Sequence, residues 1–424
     1  MVQISTIIII KRSEDSMKHM GMLFVCAVLC GMVWLSPALA QEVDTNDLMQ
    51  EIQAIKERMQ ELEQRLQQKN DEIRALQSRS GQKEESGDLA SVLEKWSDRV
   101  QISGAVEIEA SSERKKSDGD TERNDDIALA TAELGIDVAV NDYTQAHILL
   151  NYEDDDDEDR LQVDEATILL GGVEETYGMY FLGGKYYPHF GELNSWFVSD
   201  PLTTEVFEIR ETAVQVGYDS DWVTAGIGAF HGDIDDEDNS ESRINGFFAD
   251  VNVHNPEDTL GGLAVMVGAS YLSNVADTDT LQDEVSKGND DDGYYVDDLV
   301  GGVAVYAVAE YDIFSLGAEY MTALDDFKDD EMDYIDDGEE SRPAGWNIEL
   351  AVRPLEPLLL GVRYGGTRDM YALTPETQYG LVASYDLLEN ITLSAEYMHG
   401  DYDEDNDDDL EEVDTVTMQL AVGF

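Results

Sequence analysis

Basic residues are scarce in this chain. Of 424 residues, 26 are Lys or Arg against 93 Asp or Glu, a formal charge of −67. Holding phosphate backbones requires clustered cations, so a nucleic-acid partner is excluded. Cysteine is rarer still: Cys26 and Cys30 share one apolar run near the start. Beyond that run no apolar stretch is long enough for a membrane-spanning helix. Catalytic signatures are missing too. There is no H-E-x-x-H or G-x-S-x-G, and His147, His189, His231, His254 and His399 are scattered over different segments. The expectation is a protein that is not an enzyme and carries no cofactor.

Heavy acidity often marks disorder. Here 42% of residues are hydrophobic, with 20 Tyr and 34 Gly, so most of the chain is expected to fold and the charge to be segregated. The apolar run follows Met17-Lys18-His19 and ends in Ser36-Pro37-Ala38-Leu39-Ala40. A basic start, a short apolar stretch and an Ala-x-Ala end describe a secretory signal peptide cut after Ala40. Neither cysteine follows the small-residue pattern of a lipoprotein signal. The rival reading is an uncleaved anchor. Residues 1–16 read as an upstream extension, with Met17 as the start.

Over 47–79, Leu48, Ile52, Ile55, Met59, Leu62, Leu66, Ile73 and Leu76 recur in steps of four and three, broken only at Lys69. This 3.5-residue period with charged flanks predicts a coiled coil within 41–80 and hence self-association; an amphipathic helix packed on its own domain is the plainer alternative. A linker, 81–99, follows.

From about residue 100 the period changes to two. In the terminal VDTVTMQLAVGF, Val416, Met418, Leu420, Val422 and Phe424 share one face. Sixteen such segments are predicted: 100–110, 127–140, 143–152, 161–172, 178–187, 207–218, 221–232, 243–253, 260–273, 299–311, 313–324, 344–353, 358–368, 376–386, 389–400 and 413–424. Short turns such as Asn141-Asp142, Asp219-Ser220 and Asp312 alternate with connections that are mostly longer. Several of these are very acidic: 153–160, 233–241, 274–298, 325–343 and 401–412. Strict alternation of short turns and long loops, with strands of about ten residues, predicts an all-β, antiparallel transmembrane barrel over 100–424. Glu319, Glu349, Arg363 and Glu396 fall on the lumen face. Tyr152, Tyr218, Tyr311, Tyr320 and Tyr385 fall near strand ends, where interfacial aromatics belong.

The run Glu153 to Asp159 is seven consecutive acids. In an external loop their repulsion is screened within about 8 Å at physiological salt. Such runs either draw cations, with weak binding at Asp154, Asp155, Asp156 and Asp157, or are only a solvated surface. The third long loop differs. It is long but carries no acid run, and it holds Trp196, Phe197 and two prolines. It either folds into the lumen and narrows the pore or packs on the rim or at a subunit interface. In the first case Lys185, His189, Glu192, Asn194, Trp196, Asp200, Glu205, Arg210 and Arg363 are the candidate constriction residues.

This stretch resembles the LbtU-type siderophore porins of Gram-negative outer membranes. The resemblance rests on Gly184, Tyr187, Pro188, Phe190 and Gly191, then Ser199, Asp200, Pro201, Leu202, Thr203 and Glu205, with Glu208, Arg210, Glu211 and Thr212. Phe207 departs from the pattern where many members carry glycine. The resemblance implies a sixteen-stranded barrel that takes up iron-siderophore complexes without an energised plug. A general cation-preferring porin and a structural protein tethered through its coiled coil are the alternatives. The expected surroundings are outer-membrane lipid and lipopolysaccharide, with the coiled coil in the periplasm. A homo-oligomer such as a trimer is expected, as is recognition of the strand ending in Phe424 by the barrel-assembly machinery.

Overall fold

The computed structural model describes residues 99–424, apart from 118, 154–159, 192–193, 237–243, 257–258, 287, 290–292, 336–337 and 404–409. The expected signal peptide, coiled coil and linker lie outside the described residues, as do Glu192 and the Asp154–Asp157 run.

Sixteen antiparallel strands close into one barrel. They are β1 (Val100–Ser117), β2 (Asp120–Asn141), β3 (Thr144–Glu153), β4 (Arg160–Gly171), β5 (Met179–Tyr186), β6 (Glu211–Asp219), β7 (Val223–Phe230) and β8 (Gly246–His254), then β9 (Leu263–Leu272), β10 (Gly302–Tyr311), β11 (Phe314–Ala323), β12 (Ala344–Leu355), β13 (Leu358–Arg368), β14 (Thr377–Leu388), β15 (Ile391–Asp401) and β16 (Leu410–Gly423). Each overlaps one predicted segment. Closure is made by β1, which pairs with β2 on one side and with β16 on the other, Ala105 opposite Gly423 through Lys116 opposite Glu412. Closing the ring leaves no unpaired edge, the condition for backbone to sit in hydrocarbon.

The two-residue period decides which side meets lipid. On β13, Leu360, Val362 and Tyr364 are exposed, while Leu359, Gly361 and Arg363, which alternate with them, are buried. The same holds on β16, where Val416 and Leu420 face out and Thr417 faces in. A soluble protein rarely exposes so continuous an apolar surface; here it is the lipid-facing wall. Tyr218, Tyr311 and Tyr320 stand on that outer surface, as expected of interfacial aromatics. Among the described residues no helix is long and apolar enough to span a membrane; the strands do so.

One hairpin is longer than its sequence pattern. The segment 111–126 reads as a loop, yet β1 and β2 stay in register from Ser111 opposite Asp126 to Ser117 opposite Asp120. The reason lies on the other side of β1. Its outward Arg114 stands 3.7 Å from Asp414 and 4.0 Å from Glu412 on β16, and Lys116 pairs with Glu411. These cross-strand ion pairs extend the sheet past the apolar belt.

The long acidic loops also differ from a purely solvated expectation. In the β9–β10 loop, 273–301, Val275, Ala276, Leu281 and Val296 are fully buried. In the β11–β12 loop, 324–343, so are Phe327 and Met332. These residues join Phe230, Phe248 and Leu272 of the wall in one hydrophobic cluster. A parallel pairing of Ile234–Asp236 with Gly293–Val296 and a bridge between Val285 and Met332 tie the loops together. Apolar residues spaced among the acids are what turn these loops inward.

Candidate functional site

The third long loop, 187–210 (L3), joins β5 to β6. It touches the barrel wall on β12, β13 and β15. In the ring, β13 is seven positions from β6 one way (13 − 6) and eight from β5 the other way. These strands lie on the far side of the barrel, and the partners there are inward-facing side chains. L3 therefore runs inside the lumen. This is the lumen placement of the first reading, not the rim placement of the second.

Its start is shaped by glycine. Gly184 sits at φ 144°, and a Cβ there would collide with the Ala166 carbonyl oxygen of β4. Tyr187 then donates its hydroxyl to Asp164 Oδ1 at 3.1 Å. Pro188 and Phe190 are buried, with Phe190 edge-on to Phe207 at 6.2 Å. Gly191, at φ 88°, donates its N–H to Ser270 Oγ on β9 at 3.0 Å.

The far end of L3 is latched by three wall residues. Glu349 (β12) accepts from Ser195 Oγ and the Trp196 N–H, both at 2.9 Å. Glu396 (β15) accepts from the Val198 N–H at 2.6 Å and Ser199 Oγ at 2.6 Å. Arg363 (β13) pairs with Glu349 through Nε at 2.9 Å, and both side chains are 0% exposed. Its remaining N–H groups go to the Ser199 and Asp200 carbonyls at 2.8 and 2.9 Å and to the hydroxyls of Ser195 and Ser199. The Phe197 ring lies 4.3 Å from the guanidinium carbon. Burying two charges costs several kcal/mol unless every donor and acceptor is met; this fork meets that condition.

After Pro201, α1 (Leu202–Phe207) buries Leu202, Thr203, Val206 and Phe207. Gly345 on β12 faces it, where an added Cβ would stand at ordinary contact distance from Thr203 Cγ2, 3.4 Å. The helix is held from the β9–β10 loop as well, where Thr278 and Thr280 donate to the Val206 and Glu205 carbonyls. Arg210 then returns L3 to the wall, Nη1 to Asp164 Oδ1 at 2.5 Å.

The predicted constriction residues thus separate into two sets. Arg363 and the Trp196 backbone belong to the latch, and Arg210 to the return. Asp200, Glu205 and His189 are exposed, Asn194 is half-buried, and Lys185 Nζ lies 3.5 Å from the Val163 carbonyl. Of the residues that carry the family resemblance, Gly184, Tyr187, Pro188, Phe190, Gly191, Pro201, Leu202 and Thr203 fold the loop. Asp200 lends its carbonyl to Arg363 and keeps its carboxylate in the lumen. Sequence reasoning missed Ser195, Ser199, Glu349 and Glu396 as one unit. Parity puts the two glutamates inside, but no local pattern says which loop they meet.

The wall of β16, β1, β2 and β4 carries its own acids. Gln419 Nε2 donates to Glu107 at 3.2 Å and Glu109 at 2.9 Å, and Thr131 donates to Glu107 at 2.8 Å. Glu133 and Glu165 continue the row, and Asp164 is committed to Arg210 and Tyr187. Enclosure desolvates the loop carboxyls of Asp200, Glu205 and Glu208 and raises their pKa; Glu208, also near Asp200 and Asp279, is raised to about 7. The arrangement is a lumen bordered by carboxylates, with few cations to balance them. Chemically it concentrates cations.

No family model matches the chain. A UPF0422 protein of Legionella pneumophila (strain Lens) is 24% identical over 298 residues, 66% of this chain and 55% of that protein. A UPF0422 protein of Coxiella burnetii is 24% identical over 291 residues, 65% of this chain and 59% of that protein. The chain spans about half the length of the curated relatives it matches. Among solved structures, the outer membrane channel DcaP of Acinetobacter baumannii aligns with TM-score 0.54 at 16% identity, covering 77% of this chain and 97% of that one. An anion-selective porin from Comamonas acidovorans aligns with TM-score 0.50 at 12% identity, covering 77% of this chain and 99% of that one. Sixteen antiparallel strands in a closed barrel, apolar outside and with a loop folded within, give this chain the fold of the outer-membrane porins.

Proposed function

We propose that the chain is a passive porin of the Gram-negative outer membrane whose L3 constriction favours cationic and neutral hydrophilic solutes. One observation carries this reading. L3 is fixed across the lumen by Glu349, Arg363 and Glu396, while Asp200 and Glu205 stay exposed inside a barrel whose β1–β4 wall carries Glu107, Glu109 and Glu133. Selectivity then follows from width and lining charge, with transport down a gradient.

Iron-siderophore complexes are the solute class suggested by the L3 resemblance. The carboxylate lining narrows this to complexes of neutral or positive charge. Assembly as a homo-oligomer such as a trimer, a periplasmic coiled coil and delivery by the barrel-assembly machinery through the strand ending in Phe424 belong to the same proposal.

The test is conductance of the purified protein in a planar bilayer under a salt gradient, followed by titration with a panel of ferric siderophores of different charge. Cation-selective current that one neutral or cationic complex blocks saturably supports the full reading. Cation-selective current without block leaves the general porin. Anion selectivity, or no current from folded protein, overturns the proposal.

A further inference from the structure

Outside the pore, one cluster faces away from the lumen. On β15, Met398 and Gly400 point inward, and His399 and Asp401 lie on the outer face. Register places His399 opposite Asp414 and Asp401 opposite Glu412 on β16, with Tyr379 of β14 opposite His399. The imidazole is held on all sides. Its Nδ1 lies 2.8 Å from Asp414 Oδ1, which also accepts the Tyr397 hydroxyl at 2.6 Å. The Tyr379 ring packs on it at 4.8 Å. Its Nε2 lies 3.2 Å from Asp401 Oδ1, and one oxygen of Glu412 completes a set of three ligand atoms all within 4.8 Å of one another.

This arrangement poses a proton problem. Asp414 fixes a proton on Nδ1, which leaves a lone pair on Nε2. That lone pair faces a carboxylate oxygen, another lone pair. Either a second proton or a cation must lie between them. Charge favours a divalent cation over a proton: Asp401, Glu411, Glu412 and Asp414 face Arg114 and Lys116, a surplus of two negative charges, of which one proton would offset only one. Two donors about 3 Å apart fit one ion at the usual 2.0–2.2 Å bond lengths. An imidazole oriented by a carboxylate on its other nitrogen is the customary support of a metal-bound histidine.

We propose that His399 Nε2, Asp401 and Glu412 bind a divalent cation of the borderline class, such as Zn²⁺, on the outer surface of the barrel. Asp414 and Tyr397 orient the imidazole. One nitrogen and two carboxylate oxygens suit such an ion better than Ca²⁺, which takes oxygen alone. The remaining coordination positions open outward, above the apolar belt.

The test uses the full folded protein in detergent, stripped with chelator and titrated with Zn²⁺ by calorimetry in millimolar Ca²⁺, which occupies the acidic loops. One saturable Zn²⁺ per chain is expected, abolished by His399→Ala and by the exposed-ligand pair Asp401→Asn with Glu412→Gln. Asp414→Asn should weaken it about 10- to 100-fold. With Cu²⁺ as a second probe, paramagnetic resonance should show coupling to one imidazole nitrogen that His399→Ala removes. Bilayer conductance should be unchanged in these variants, which separates this site from the pore. No saturable Zn²⁺ binding, or an identical isotherm in His399→Ala, overturns the proposal.

Discussion

Arg363 and Glu349 face each other across β13 and β12, Nε to Oε1 at 2.9 Å, and both are closed to solvent only because L3 lies over them. The pair is therefore the anchor that holds L3 across the lumen. Arg363 alone ties together Ser195, Ser199 and Asp200.

Removing one partner should release the loop. Arg363→Ala leaves Glu349 as a buried, uncompensated charge, at a cost of roughly 3–5 kcal/mol. The barrel itself, held by sixteen paired strands, should still assemble. Single-channel conductance is expected to rise and become noisy, while heat-modifiable migration on gels stays native. A quiet channel of unchanged size in Arg363→Ala would mean that the latch does not position the constriction.

The exposed acids of L3 should set ion preference without setting structure. Neutralising Asp200 or Glu205 removes a charge that acts on a passing ion by about 1 kcal/mol at 4 Å in a water-like medium. The cation-to-anion permeability ratio should fall about fivefold for Asp200→Asn or Glu205→Gln alone and about 30-fold for the two together. Reversal potentials under a salt gradient read this directly. An unchanged ratio would move the selectivity filter to the β1–β4 wall.

Much of this architecture is legible in the sequence, because a barrel strand repeats every two residues and its lipid face tolerates only apolar side chains. All sixteen strands and the inward placement of Glu319, Glu349, Arg363 and Glu396 follow from that rule. The β1–β2 extension does not, since it depends on Arg114 and Lys116 meeting acids about 300 residues later on β16. The latch is hidden for the same reason: Ser199 and Glu396 are 197 residues apart, and nothing local links them. The inward turn of the acidic loops was obscured by their charge, which outnumbers the spaced Val275, Leu281, Val296 and Phe327 that bury. The resemblance falls on L3 and covers mostly residues that fold it.

Gly184 offers a test of that folding role. At φ 144° it is in a region that L side chains rarely adopt, and a Cβ added there would collide with the Ala166 carbonyl oxygen. Gly184→Ala should cost on the order of 1–3 kcal/mol from backbone strain. Lower yield of heat-modifiable barrel and an earlier thermal transition are expected. Gly119, also at positive φ but with open space around it, is the control, and its alanine variant should lose less.

The pore should also respond to pH through Glu208. Burial first, then the nearby charges of Asp200 and Asp279, raise its pKa from 4.5 to about 7. The folded state thus holds this proton more tightly than the unfolded chain does. Its contribution to stability is fully present below the unfolded value and is lost as pH rises through about 7. For transport the sign is opposite: the carboxylate is neutral in acid and charged in base, so cation selectivity should increase from pH 6 to pH 8. Glu208→Gln should flatten that step, holding the channel near its low-pH selectivity across the range. If wild-type and Glu208→Gln channels show the same pH profile, the titrating group lies elsewhere, with Asp277, raised by burial to about 6, the next to substitute.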